Sequence, residues 1–260
     1  MTSAPPAAEI KPISHRSTND RVFSLLTSKL RPGGRVVDVG AGEGYFSQMV
    51  GSLARQRGME PAALLSACDV FPDNFRYGGV ACDRIEWDGR LPYEDDSFEV
   101  ACSLEVVEHV EDQFLFAREL HRIVRPGGTV IVSTPNVLNI NSRLRTLHSG
   151  FPVLFDPLSL TSRDPVHTSG HINPVSYYYL AYQLHRAGFS AVEVRYDRAK
   201  NSARALLVLL GAFIVAGRAA FGARLRRKRP EVAMENASLL ADLNSAGMLT
   251  SRSVIAVATK

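Results

Sequence analysis

The sequence predicts an α/β fold: a largely parallel sheet with helices on both faces. Strand and helix signals alternate from about residue 20 to residue 200. The strand segments are continuous apolar runs, as strands covered on both faces require, and a glycine turn joins the first strand to a helix. A length of 260 residues with 45% hydrophobic and 22% charged content suffices for one such domain carrying an addition.

Taken in order, the opening MTSAPPAAEIKP lacks the charged-then-apolar pattern of a signal peptide, so residues 1–18 are expected to form a disordered tail. NDRVFSLLTSKL (19–30) reads as a helix that stops at Pro32 and Gly33. Strands follow at RVVDVG, LLSACDV, FEVACSL and TVIVSTP, and in QFLFARELHRIV the apolar side chains recur at the three- and four-residue spacing of a helix. SYYYLAYQLHRAGF (176–189) is a late helix closed by Gly188, with SAVEVRY and RSVIAVATK as the last strands. The expected division is thus a core over 19–197, an insertion over 198–250 and a final core strand over 251–260.

The centre of the insertion, ALLVLLGAFIVAG (205–217), carries no charge, and Arg218 and RLRRKR follow it. Crossing a bilayer takes about 20 apolar residues, more than this run supplies. Two readings remain: residues 203–229 lie on an anionic membrane surface, or the run is a core helix ended by solvated arginines. RLRRKR also holds five of the 30 basic residues, which leaves 25 against 26 acids elsewhere. That balance opposes a nucleic-acid partner, which requires basic side chains spread over a face. Cys68, Cys82 and Cys102 lie in or beside strands without disulfide or zinc spacing, and suit a reducing cytoplasm, with or without attachment to the inner face of a membrane. Oligomeric state is left open.

The stretch VVDVGAGEGYFS (36–47) places Gly40, Gly42 and Gly44 between a strand and a helix. A dinucleotide fingerprint, G-x-G-x-x-G, needs its third glycine one place later, and Asp38 would repel a pyrophosphate while attracting a sulfonium cation. The loop resembles motif I of class I S-adenosylmethionine (SAM) dependent methyltransferases. The resemblance extends over about residues 20–197, through Asp69 ending LLSACD, RIEWDGRLPYEDDSFEV, LEVVEHVED, RIVRPGGTVIVSTPN and GHINPVSYYYLAYQLHRAGF. It implies a Rossmann-like, seven-stranded, doubly wound sheet with an antiparallel last strand, preceded here by the apolar helical insertion. It also implies SAM contacts from Asp38, Gly40, Ala41, Gly42 and Gly44, from Asp69 at the ribose, and from Val70 and Leu104. Glu86, Trp87 and Asp88 fall in the adenine segment, where Trp87 either packs on the base or is a lone core tryptophan.

SAM brings its own leaving group, so the protein must position the partners and remove a proton if the nucleophile is a hydroxyl. In EVVEH, Glu105, Glu108 and His109 fall at i, i+3 and i+4 of an expected helical turn, a set able to hold a hard divalent cation or orient a base. The pattern is similar to the metal site of small-RNA 2′-O-methyltransferases and of ubiquinone-pathway O-methyltransferases. The former add a downstream histidine, a part open to His171 or His167. The resemblance thus implies Mg²⁺ or Mn²⁺ at Glu105, Glu108, His109 and His171, or a metal-free pocket shaped by the same side chains. Glu105, His109 and His171 are the candidate catalytic residues, and Asn136 in STPN either faces the substrate or bonds its own turn. The expected activity is methyl transfer from SAM to a hydroxyl of a small or lipophilic acceptor such as a quinone precursor, a polyketide or a lipid-linked glycan. Alternatives are a metal-dependent RNA 2′-O-methyltransferase and a non-catalytic SAM-binding regulator.

Overall fold

The computed structural model describes residues 10–162 and 170–260. Its core is a seven-stranded sheet: β1 (Val36–Val39), β2 (Leu65–Asp69), β3 (Cys82–Arg84), β4 (Phe98–Leu104), β5 (Val124–Pro135), β6 (Ala191–Tyr196) and β7 (Ser253–Thr259). The order is β3-β2-β1-β4-β5-β7-β6. β1 to β5 pair in parallel, and β7 runs antiparallel to both β5 and β6. The chain winds outward from β1 to β3, then returns to place β4 on the other side of β1. A crevice opens at that switch point, beyond the carboxyl ends of β1 and β4, where ligands bind in open α/β sheets.

Alternation along the strands sorts the core into two layers. Val37 and Val39 face α4 (Gln113–Ile123) and α6 (Tyr177–Ala187), with Phe116, Leu120, Tyr177 and Leu184 buried there. Val36, Val100 and Ile131 face α1 (Arg16–Lys29) and α2 (Tyr45–Gln56), against Val22, Leu26, Phe46 and Val50. A short α3 (Pro61–Leu64) leads into β2, and α5 (Ile140–Ser149) follows β5. β3 escapes sequence reading because it is a three-residue edge strand without an apolar run.

α1 begins three residues before the expected start, because His15 caps it by accepting the Ser17 amide at 3.1 Å. Lys11, Pro12, Ile13 and Ser14 line the central cavity. Residues 11–18 are therefore folded structure, which shortens the expected tail.

The insertion is helical: α7 (Asn201–Lys228), α8 (Pro230–Glu235), α9 (Ala237–Asp242) and α10 (Ala246–Thr250). It leaves after β6 and rejoins at β7 through a neck where Ala199 pairs with Ser251 and the Lys200 amide donates to Thr250 O at 2.8 Å. Ala203 is the one buried residue of α7, so the core-helix reading of its apolar run does not hold.

Candidate active site

Gly40 and Ala41, directly after β1, donate their amides to Cys68 O on β2 at 2.8 and 3.1 Å. Gly40 has φ +76°, and a Cβ there would overlap the side chain of Val106. Gly44, the N-cap of α2, has φ +91°, and a Cβ would stand 2.8 Å from the Phe75 ring. Both positions require glycine for backbone and for space. The Gly42 amide donates to Asp69 Oδ2 and the Phe71 amide to Asp69 Oδ1, each at 2.8 Å. Asp69 thus fastens the loop to the end of β2, and each carboxylate oxygen keeps a second acceptor position.

Asp38 is buried on the α2 side of β1 and accepts a 2.6 Å hydrogen bond from the Ser47 hydroxyl. Burial pushes its carboxyl up to about 7; the Asp69 charge acts in the same direction and Ser47 opposes it.

A cavity of about 910 Å³ runs from this loop across the ends of β1 and β4. Asp38, Gly40, Ala41, Gly42, Asp69 and Val70 line one end, with Glu86, Trp87 and Asp88 beside them; Leu104 lies in its wall, and Glu105, His109, Leu154, His171 and Arg252 line the other end. Gly44 stands behind the loop, against Phe75 and Tyr77. Trp87 is 81% exposed at the rim, edge-on to Phe71 with ring centres 6.0 Å apart, which rules out its core reading. Glu86 and Asp88 are exposed, and Asp88 Oδ1 accepts the Arg90 amide at 2.9 Å.

The E-x-x-E-H segment does not form the expected helical turn. Glu105 follows β4 in the left-handed region, φ +55°, with its amide donating to Ser133 O at 3.0 Å, and a 3₁₀ turn occupies Val107–His109. The three side chains therefore do not share one helix face. Glu105 Oε1 accepts from Ser253 Oγ at 2.6 Å and from Arg252 Nη1 at 3.1 Å, so it is engaged by β7. Glu108 is fully buried; its Oε2 accepts from Thr134 Oγ1 at 3.1 Å, while Oε1 has no hydrogen-bond partner. Burial pushes its carboxyl up to about 8, with the nearby Glu105 charge adding and Thr134 opposing.

Glu108, His109 and His171 do converge, each offering a ligand atom within 4.8 Å of the others. His109 Nδ1 faces Gly170 O at 3.1 Å and His171 Nδ1 faces Leu154 O at 2.7 Å. A carbonyl can only accept, so Nδ1 is the donor in both rings, and in the neutral tautomer that fits this the lone pair lies on Nε2. Two imidazoles and a carboxylate, one of whose oxygens is buried without a partner, fit a divalent cation. Glu105 does not join them, which corrects the four-residue metal set. His167, the other candidate histidine, lies outside the described residues.

Asn136 is buried and donates to Met248 O at 2.7 Å and Ser251 Oγ at 3.0 Å, tying β5 to the end of the insertion. Its Oδ1 accepts the Leu138 amide at 3.0 Å, the bond to its own turn, and Asn136 does not line the cavity. Sequence reasoning missed Arg252, Thr134 and Ser47: each acts through a partner on another element, and no local spacing marks them. Phe71 had one signal, its place two residues after Asp69.

Residues 14–194, more than half of the chain, match the family model described as a methyltransferase domain. The chain belongs to the class I methyltransferase family. A probable S-adenosylmethionine-dependent methyltransferase of Mycolicibacterium smegmatis is 33% identical over 105 residues, 39% of this chain and 38% of that protein. The ubiquinone biosynthesis O-methyltransferase of Rhizobium etli is 33% identical over 104 residues, 39% of this chain and 41% of that protein. The matched stretches therefore span less than half the length of these curated relatives. A solved SAM-dependent methyltransferase of Archaeoglobus fulgidus superposes with a TM-score of 0.53 at 15% identity, covering 93% of this chain and 94% of that one. At that identity the likeness speaks for the methyltransferase fold alone.

Proposed function

We propose that the chain transfers the methyl group of SAM to a hydroxyl of a small or lipophilic acceptor. One observation carries the reading: a single cavity joins the glycine loop and Asp69 to His109 and His171. Asp38 and the loop receive the methionyl and sulfonium end, the remaining lone pairs of Asp69 accept the ribose hydroxyls, and Trp87 closes over the adenine from the rim. The acceptor enters at the histidine end, in line with the C–S bond. As its oxygen attacks, the C–O bond forms, the C–S bond breaks to release S-adenosylhomocysteine, and the hydroxyl proton passes to an imidazole Nε2. Glu105, fixed by Arg252 and Ser253, shapes the floor of this end. A divalent cation such as Mn²⁺, held by Glu108, His109 and His171, would occupy those imidazole lone pairs and supply Lewis-acid activation of the hydroxyl in place of the imidazole base, the proton then leaving to solvent. The name of the Rhizobium relative, a ubiquinone-pathway O-methyltransferase, supports an aromatic, lipophilic acceptor. The Glu108–His109–His171 cluster is also what keeps an RNA 3′-terminal ribose as a second reading, against which stands the concentration of basic residues in one helix.

The test has two stages. Calorimetric titration with SAM, S-adenosylhomocysteine and NAD is expected to show binding of the first two only; binding of NAD alone would overturn the reading. The protein is then incubated with methyl-labelled SAM and separated lipid, small-molecule and RNA fractions of a cell extract. Label is expected in an extractable lipid or aromatic compound. Label in RNA would transfer the assignment to the second reading, and tight SAM binding with no labelled fraction would favour a non-catalytic regulator.

A further inference from the structure

We propose that α7 docks the protein on an anionic lipid bilayer, lying in the plane of its interface. Thirteen consecutive residues, Ala205–Gly217, are uncharged, and in the described structure the apolar window of this 28-residue helix has no buried share. One stripe, Leu206, Leu207, Leu210 and Ile214, is half-covered where α7 rests on α5 and α10. The outer face is bare: Val208 is 89% exposed, Phe213 78% and Leu209 76%. A continuous apolar face of this kind marks an interaction surface.

The charges around it select the occupant. Residues 201–229 contain seven arginines and lysines and no acid, although the chain as a whole is only +4, so the remainder is net acidic. Six of the seven, Arg218, Arg224, Arg226, Arg227, Lys228 and Arg229, follow the apolar run. A second copy would bring an identical positive cluster against this one, whereas anionic headgroups neutralise it while acyl chains take up Leu209 and Phe213.

α7 extends well beyond the 13-residue apolar run, so, against the expectation from that run, its length and composition would allow it to cross a bilayer, but its attachments do not. Before it, the chain is fastened at Ala199–Ser251, and Asn141 Nδ2 donates to Ser202 Oγ at 3.0 Å. Beyond it, Tyr178 on α6 donates to Asn236 Oδ1 at 3.2 Å, and Arg143 on α5 donates to Leu243 O at 2.7 Å. Both ends return to one globular core, and among the described residues no second helix is long and apolar enough to carry the chain back. An in-plane position satisfies both constraints. The supports of α7 also lead into the cavity: Leu154 follows α5, Arg252 follows α10, and both line the acceptor end. Delivery of a lipophilic acceptor from the bilayer rests on the methyl-transfer reading; docking does not.

The test is flotation of the full chain with vesicles of phosphatidylglycerol and phosphatidylcholine, and with phosphatidylcholine alone, in the absence of SAM. Binding is expected on the anionic vesicles, at least about tenfold weaker on the neutral ones and weaker again in about 0.5 M salt. Leu209→Glu/Phe213→Glu and Arg224→Gln/Arg226→Gln/Arg227→Gln should each stay unbound, with an unchanged circular dichroism spectrum and thermal unfolding midpoint as the check on folding. Failure of the intact protein to float, or equal binding to both vesicles, overturns the proposal. Concentration-dependent dimerisation that Phe213→Glu abolishes, without flotation, would assign the face to a second copy instead. Because the readout needs neither SAM nor an acceptor, its failure is distinct from failure of the methyl-transfer reading.

Discussion

Glu105 and Arg252, 147 positions apart in the chain, meet at 3.1 Å on the wall of the cavity and join the end of β4 to the start of β7. Both side chains are largely enclosed, so removing one partner strands the other. Arg252→Met is expected to cost about 1–3 kcal/mol, read as a lower urea midpoint at unchanged slope. Glu105→Gln, which keeps an acceptor for Ser253, should cost less; equal losses would mean that the charge pair, which both variants break, and not the hydroxyl bond, which both keep, joins the strands.

Gly40→Ala should lose both space and backbone freedom, since φ is +76° and Val106 occupies the room for a Cβ. About 1–3 kcal/mol of stability and most SAM binding are expected to go. Adding Val106→Ala should recover only part of each. Full recovery would show that the clash alone matters.

Asp38 gives a pH signature. Its carboxyl lies at about 7 in the fold against an ordinary 3.8. Between these values the folded state holds a proton that the unfolded chain has lost, so stability falls as pH rises through the window, by at most about 1.4 kcal/mol per pH unit. Asp38→Asn should remove that contribution from the wild-type slope. A bound sulfonium favours the carboxylate, so SAM binding near pH 7 should release a proton, visible as different calorimetric heats in buffers of different ionisation enthalpy. The release should vanish in Asp38→Asn; its persistence there would place the proton elsewhere.

Mn²⁺ at about 100 times its dissociation constant would stabilise the fold by about 2.7 kcal/mol, worth several degrees in Tm. The shift should disappear in His171→Ala and survive in Glu105→Gln. Loss in both variants would restore Glu105 to the ligand set.

Trp87→Ala removes an exposed rim residue, so stability should stay within about 0.5 kcal/mol of wild type. Affinity for SAM should nevertheless fall several-fold through lost stacking on the adenine, while affinity for methionine alone is unchanged. No change for SAM would leave Trp87 outside the site.

What the sequence made legible is what local patterning controls. Apolar runs located six of the seven strands, and glycine spacing located a loop whose φ values glycine alone takes readily. β3 was missed because three edge residues carry no pattern. Glu105 misled because i, i+3 and i+4 spacing presumes a helix, and a left-handed residue at the strand end turns its side chain to β7 instead. Arg252 and Asn136 acquire their roles from partners more than 100 positions away. The exposure of α7 depends on which elements the fold brings beside it, which periodicity does not encode.

The neck at Ala199 and Ser251 has an evolutionary consequence. The excursion it encloses starts and finishes on paired strands whose separation the sheet already fixes, so a short hairpin turn or a different helical arm would fit the same two ends. Loop length enters the closure cost only logarithmically, which makes such exchanges thermodynamically mild. Arg252 and Asp69 sit outside the neck, and a lineage could therefore replace the appendage, and with it the bare apolar face, while inheriting the residues that line the cavity.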